Sequence, residues 1–327
     1  MASRAPLSIA VLGAAAVALA GCATPVGEDD RALTVVASTS VYGSLVAAIG
    51  GESVEVVSII DSLSQDPHSY EASARDQLTV ADADLILENG GGYDAFIDAL
   101  IDASGSDATV LTAVEYSHDY PENDGHADDE HADDDEHAED DHAHDHGDHE
   151  HIEGFNEHVW YDPHTIAHLV EDIAHELGEL DAGNAETYEA NAAELVAGIQ
   201  GLEASLAQIA ADHEGEKIFV TEPVPVYLAA AAGLVDATPT AFSEAVEEGQ
   251  DVAPATLLDA RGILESGTIR AVVTNAQTGG AETKEIVSLA EKQGIPVVEV
   301  TELLPEGLDY VAWMQENIDA LAGTLTR

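Results

Sequence analysis

Basic side chains are the scarcest class in this sequence. Nine Lys and Arg stand against 65 Asp and Glu, for a formal charge of −56. That balance argues against nucleic acid or anionic lipid as a partner, because both need a basic face. The segment 119–153 holds 17 of the acids, and the other 48 still outnumber the bases, so the whole surface is acidic. Such a surface suits a protein that handles cations; salt adaptation or plain solubility is the bland alternative for the body of the chain. Cysteine is nearly absent as well. Cys22 stands alone, which excludes an intrachain disulfide. Several catalytic signatures are also missing. His175-Glu176-Leu177-Gly178-Glu179 starts like a zinc-protease helix, but Glu179 stands where the second His is required. There is no Gly-x-Ser-x-Gly elbow. Gly90-Gly91-Gly92 lacks both the phosphate-loop Lys and dinucleotide spacing, and reads as a tight turn.

What is present begins with Arg4 and an apolar run from Leu7 to Leu19, too short to span a bilayer and of signal-peptide length. It ends in Leu19-Ala20-Gly21-Cys22, which resembles a bacterial lipobox. In that pattern residues 1–21 are removed, and the Cys22 thiol carries a diacylglyceryl anchor to the outer face of the cell membrane. An ordinary secretory signal with an incidental Cys is the alternative. Residues 22–32, with Pro25 and Gly27, read as a flexible tether.

The length of 327 residues accommodates two lobes of ordinary domain size. Short apolar, β-branched runs at 33–38, 54–60, 85–89 and 109–114 predict strands, and helical patterns at 41–49, 74–81 and 93–101 lie between them. Alternation resumes after residue 215, with strands at 217–221, 269–274 and 296–300 and helices at 226–232, 254–265, 281–293 and 310–325. The expected class is α/β, with mostly parallel sheets covered on both faces. Two helices fall between the halves, 165–177 and 185–209. In the second, Leu195, Ile199, Leu202, Leu206 and Ile209 step at three and four residues. The layout is an N-terminal lobe at 33–183, a rigid linking helix at 184–214 and a C-terminal lobe at 215–327. The halves share a layout rather than a sequence.

The N-terminal lobe is interrupted by a His-, Asp- and Glu-rich loop, 118–153. Nine of the fifteen histidines lie between His118 and His151. The loop has almost no apolar residues to offset the entropy of ordering, so disorder without metal is expected. His126, His131, His137, His142, His144, His146, His149 and His151 form an accessory metal-collecting set, since neutral imidazole is a good ligand for zinc, copper and nickel. A flexible tract imposes no single geometry, so its sites should be weak and fast-exchanging. A solvated acidic loop is the plain alternative. His68, in Asp66-Pro67-His68-Ser69-Tyr70, and His158 are candidates for fixed ligands. Each alone is better explained as a satisfied structural or surface histidine, but both lie in loops or at element ends. Glu222 follows the strand 217–221, and Glu302 follows 296–300 after one Thr. Ligands of open α/β sheets gather at carboxyl ends of strands. Two His and two Glu would give a divalent ion a mixed nitrogen and oxygen shell.

The lipobox, Asp66-Pro67-His68-Ser69-Tyr70, His158-Val159-Trp160-Tyr161-Asp162-Pro163, the long middle helix and Thr221-Glu222-Pro223 together resemble the metal-binding lipoproteins of bacterial ABC importers. These are the zinc- and manganese-specific cluster A-I solute-binding proteins, and the similarity spans nearly the whole mature chain. The resemblance implies two α/β lobes joined by one rigid helix, a metal held between them, and delivery to a membrane permease driven by an ATPase. It matches His68 to the first-lobe His and His158 to the His before the Trp. Glu222 falls at a third ligand that is His in many zinc members and Glu in many manganese members. Glu302 falls where the family commonly has Asp. Gln277 is the reserve for Glu302, and His164 for His158. The His-rich insertion points to zinc and the two carboxylates to manganese. Zinc is favoured, because it binds such shells more tightly. A surface metal buffer or adhesin without a transport role is one rival, and a metal-dependent hydrolase another. The hydrolase needs an open coordination position and a general base. A helical connector predicts small lobe motion rather than wide hinge closure.

Overall fold

The computed structural model describes residues 32–123, 152 and 154–326. The expectations for the leader 1–21, for Cys22 and for His126 to His151 fall outside the described residues.

Two four-stranded parallel sheets carry the fold. The first is built from β1 (Leu33–Thr39), β2 (Val54–Ile60), β3 (Leu85–Glu88) and β4 (Thr109–Thr112), in the spatial order β2-β1-β3-β4. The second has β5 (Lys217–Val220), β6 (Val235–Asp236), β7 (Ile269–Asn275) and β8 (Val297–Val300), in the order β6-β5-β7-β8. Both therefore follow one topology. In each, the chain leaves the central pair in opposite directions, which opens a crevice at the carboxyl ends of that pair. Central strands are apolar on both faces: Val35, Val36 and Ala37 are buried, as are Leu85, Ile86 and Leu87. That is the pattern of a parallel sheet with helices on both sides.

In the first half those helices are α1 (Ser40–Gly50), α2 (Ala74–Ala81) and α3 (Phe96–Ser104). Then come α4 (Pro163–Leu180) and the 29-residue α5 (Ala185–His213). At about 1.5 Å per residue, α5 spans about 43 Å. It packs against α1 and α4 at one end and against α6 (Val226–Ala231) at the other, with α10 (Tyr310–Leu325) also in contact. The second half also holds α7 (Thr240–Glu247), α8 (Pro254–Glu265) and α9 (Ala281–Gln293). Neither β6 nor α7 follows from the sequence patterning. β6 is a two-residue edge strand with Val235 exposed, and α7 buries little beyond Phe242 and Val246.

One apolar cluster runs continuously from β1 and α1 through α4 and α5 to β5, β7 and α10. Hydrogen bonds also join the halves. Tyr161 donates to the Thr301 carbonyl at 2.7 Å, and Tyr310 to the Trp160 carbonyl at 2.8 Å. The Leu304 amide donates to Ser40 Oγ, and Leu303 packs into the apolar cluster of the first sheet. Among the described residues no helix is long and apolar enough to cross a membrane.

Candidate metal centre

Three turns deliver side chains to the crevice from the first sheet. After β2, Asp66 accepts from the His68 amide at 3.0 Å and from Ser69 Oγ at 2.8 Å, closing a short 3-10 turn with Pro67 at its first position. That turn presents His68. After β3, Gly90, Gly91 and Gly92 all adopt positive φ, between 67° and 93°. A Cβ on Gly90 would lie 2.4 Å from Thr112 Cγ2, so only glycine lets the chain turn here. Asp94 pins the turn by accepting from the Asn89 and Gly90 amides at 2.7 and 2.9 Å. The turn brings in Tyr93, whose ring packs 4.9 Å from His68 and 5.7 Å from His158. The third segment, 156–161, is tied to the end of β3, where Asn89 donates to the Glu157 carbonyl at 2.9 Å. It stops where Asp162 caps α4, accepting from the His164 amide and from Thr165 Oγ1, with Pro163 at the first helical position.

His158 is buried, and its ring is oriented. Asn156 Oδ1 lies 2.8 Å from His158 Nδ1, while the Asn156 amide nitrogen donates to the Pro223 carbonyl at 3.1 Å. The amide oxygen only accepts, so Nδ1 carries the proton and the lone pair of Nε2 faces the crevice.

Carboxylates arrive from the second half. Glu302, just past β8, is buried; its backbone amide donates to Gln277 Oε1 at 2.8 Å, and Tyr93 donates to its Oε2 at 3.2 Å. Asn275, at the end of β7, gives its amide to both Glu302 and Glu222. Thr278 donates to the other oxygen of Glu222. The last residue of α7, Glu247, reaches to 3.6 Å from His158 Nε2. His68 Nε2 stands 4.0 Å from Glu302 Oε2.

Ligand atoms of His68, His158 and Glu302 lie within 4.8 Å of one another, and so do those of His68, Glu157 and Glu247. Ligand atoms around a tetrahedral zinc are about 3.3 Å apart, so an ion would draw the first group together. Three of the four expected ligands are thus assembled. Glu222 is not in either group; it faces the same amide as Glu302 and is held by Asn275 and Thr278. Gln277, the reserve for Glu302, has its amide committed: its oxygen accepts from the Glu302 and Leu303 amides, and its nitrogen donates to the Gln65 carbonyl. His164, the reserve for His158, is exposed on α4 and belongs to another cluster. Glu157 and Glu247, which join His68 in the second group, are not among the ligands that the sequence suggests. Glu157 adjoins His158, the only signal available, and Glu247 sits on the helix that the patterning did not reveal.

Beside His68 opens a cavity of about 670 Å³ bordered by Asp66, Glu247, Glu248, Asp251 and Glu282, with no Lys or Arg among the described residues that line it. Burial pushes Glu302 up to about 8, with the charge of Glu222 adding to it and the Asn275 amide opposing. Burial pushes Glu247 up to about 9, helped by the charges of Glu157, Glu222 and Glu302. Glu222 is raised by burial against the Thr278 and Asn275 hydrogen bonds. Glu302 and Glu247 therefore hold protons at neutral pH that a dication would displace.

The model of the family described as "ZnuA: Zinc-uptake complex component A periplasmic" matches residues 35–324. The manganese-binding lipoprotein MntA of Halalkalibacterium halodurans is 28% identical over 187 residues, 56% of this chain and 53% of that protein, so this match spans about half of the relative. The iron ABC transporter substrate-binding lipoprotein MtsA of Streptococcus pyogenes serotype M1 is 24% identical over 341 residues, covering 95% of this chain and 94% of that one. Among solved structures, the periplasmic zinc binding protein TroA from Treponema pallidum superposes with a TM-score of 0.70 at 17% identity, over 91% of this chain and 100% of that chain. The fold is therefore that of the two-lobed metal-binding proteins.

Proposed function

The chain belongs to the ZnuA family of substrate-binding proteins of metal ABC transporters, which are not enzymes, and on that premise we propose that it captures a divalent transition metal in the crevice, zinc in preference to manganese, and hands it to the importer's permease. The observation that carries the reading is the convergence of His68, His158 and Glu302 from two sheets onto one point. Glu222, beside Glu302 on the Asn275 amide, is the proposed fourth ligand. Glu157 and Glu247 add further carboxyl groups around it, Glu247 becoming negative once the ion displaces its proton.

The relatives are named for manganese and iron, and the structural neighbour for zinc. The preference for zinc therefore rests on this chain's own groups. Two imidazoles suit zinc, and zinc outranks manganese in mixed nitrogen and oxygen shells. The halves at 33–183 and 215–327, joined by the helix at 184–214, are proposed to move little, because α5 and the hydrogen bonds of Tyr161 and Tyr310 hold them together. The lipid anchor on Cys22 and a place on the outer face of the membrane belong to the same proposal. Several relatives are named lipoproteins. The test is competition: zinc and manganese are titrated against a chromophoric chelator with the full chain. Zinc bound at least tenfold more tightly supports the reading, and manganese bound more tightly overturns it. The adhesin reading has one observation behind it, a structural neighbour described as a laminin-binding adhesin of Streptococcus agalactiae. Deletion in the native host discriminates, since a pure adhesin leaves metal import intact.

A further inference from the structure

Outside the crevice, the exposed face of α4 carries a second cluster. His164 and His168 are four residues apart, which places them one above the other on a helix. Their rings meet edge to face with centroids 4.8 Å apart, and their Nε2 atoms are 3.4 Å from each other. Two imidazole nitrogens at that distance share one proton or face one cation. The spacing is that of two ligand atoms on one tetrahedral zinc, about 3.3 Å for bonds of about 2.0–2.1 Å. Each ring also has a carboxylate at its other nitrogen. Glu203, from the neighbouring α5, lies 3.5 Å from His164 Nδ1, and Glu171 lies 3.9 Å from His168 Nδ1. A carboxylate on the Nδ1 side favours the tautomer that turns the lone pair of Nε2 outward to ligate. Two helices thus contribute two ligand atoms and two orienting carboxylates.

We infer that His164 and His168 form a second, surface metal site that takes a borderline divalent ion such as zinc, copper or nickel. Water completes its shell. Manganese is excluded, because the first-shell donors are imidazoles alone and that ion favours oxygen. The site is independent of the crevice and of the transport reading.

Histidine-detected ¹H–¹⁵N spectra of the full chain test it, with zinc chloride added and free zinc set by a weak chelating buffer. His175 is the internal control. It lies on the exposed face of the same helix, with Glu171 and Glu179 four residues to either side and no second histidine. The Nε2 resonances of His164 and His168 are expected to shift together, at a free zinc concentration at least about tenfold below that which moves His175, because the second ligand binds intramolecularly. In His164→Gln the His168 signal should move to the His175 concentration, and the reverse in His168→Gln. Both positions are exposed, so neither variant threatens the fold. The inference is overturned if the two signals titrate independently, if they follow His175, or if either single variant leaves the partner's response unchanged.

Discussion

Replacing Glu302 by Gln should weaken the metal and strengthen the empty protein, and the opposite signs make the test specific. The substitution keeps the shape and removes the charge. Zinc bound by four protein ligands is worth about 10–16 kcal/mol, so one ligand carries about 3 kcal/mol, or about 100-fold in affinity. The empty protein responds the other way. Burial beside Glu222 lifts Glu302 to about 8 from an ordinary 4.5. A raised carboxyl costs the fold nothing below its unfolded pKa. The cost grows as pH rises, because the unfolded chain releases a proton that the folded chain keeps, and it levels off above the folded pKa. At about 1.4 kcal/mol per pH unit, the cost at pH 7 is about 3 kcal/mol. Gln avoids it. The Gln oxygen can accept from only one of Tyr93 and Asn275, which returns about 1 kcal/mol. The metal-free variant should thus be more stable by about 2 kcal/mol at pH 7 and no more stable at pH 4. Chelator competition gives the affinity, and denaturant unfolding in the presence of a strong chelator gives the stability. Unchanged zinc affinity, or a variant less stable at pH 7 without metal, would refute the reasoning.

Asn156→Ala removes the acceptor that holds the His158 tautomer; zinc affinity should fall about 10- to 100-fold with the unfolding midpoint little changed, as measured by the same competition. The raised carboxyls of Glu302 and Glu247 predict about one to two protons released per zinc at pH 7, read by calorimetry in buffers of different ionisation enthalpy; zero release counts against a carboxylate-rich site. Without metal, the melting temperature should decline as pH rises from about 4.5 to about 9, and zinc should reverse the decline. Gly90→Ala puts a Cβ 2.4 Å from Thr112 Cγ2 at a φ of +77°, so stability should drop by about 1–3 kcal/mol. Zinc affinity should fall too, because Tyr93 is displaced.

The strands and long helices were readable because burial on both faces writes itself as apolar runs, as in Leu33–Thr39 and Leu85–Glu88, and as three-four spacing in α5. α7 was not readable. Its burial depends on Phe242 and Val246 meeting Phe219 and the α8 side of the sheet, a tertiary fact with no local periodicity behind it. Glu247 was lost with it. His68 and His158 are legible because both lie in loops or at element ends, and Glu302 because it stands just past β8 at the carboxyl end of the second sheet. Glu222 satisfies the same rule, yet its oxygens go to Asn275 and Thr278. Position after a strand says that a carboxylate reaches the crevice, but not which partner it meets there. The sequence places Gln277 near the end of β7, but its role as a brace for the Glu302 backbone depends on a distance that no sequence pattern encodes.

The most direct test of the crevice as the metal site is zinc binding by a chain lacking residues 119–151, alone and combined with His68→Ala. One tightly held zinc in the deletion, lost about 100-fold or more when His68 is also replaced, is the predicted result. Loss of all tight zinc on deleting 119–151 would contradict it and make the His-rich loop itself the site.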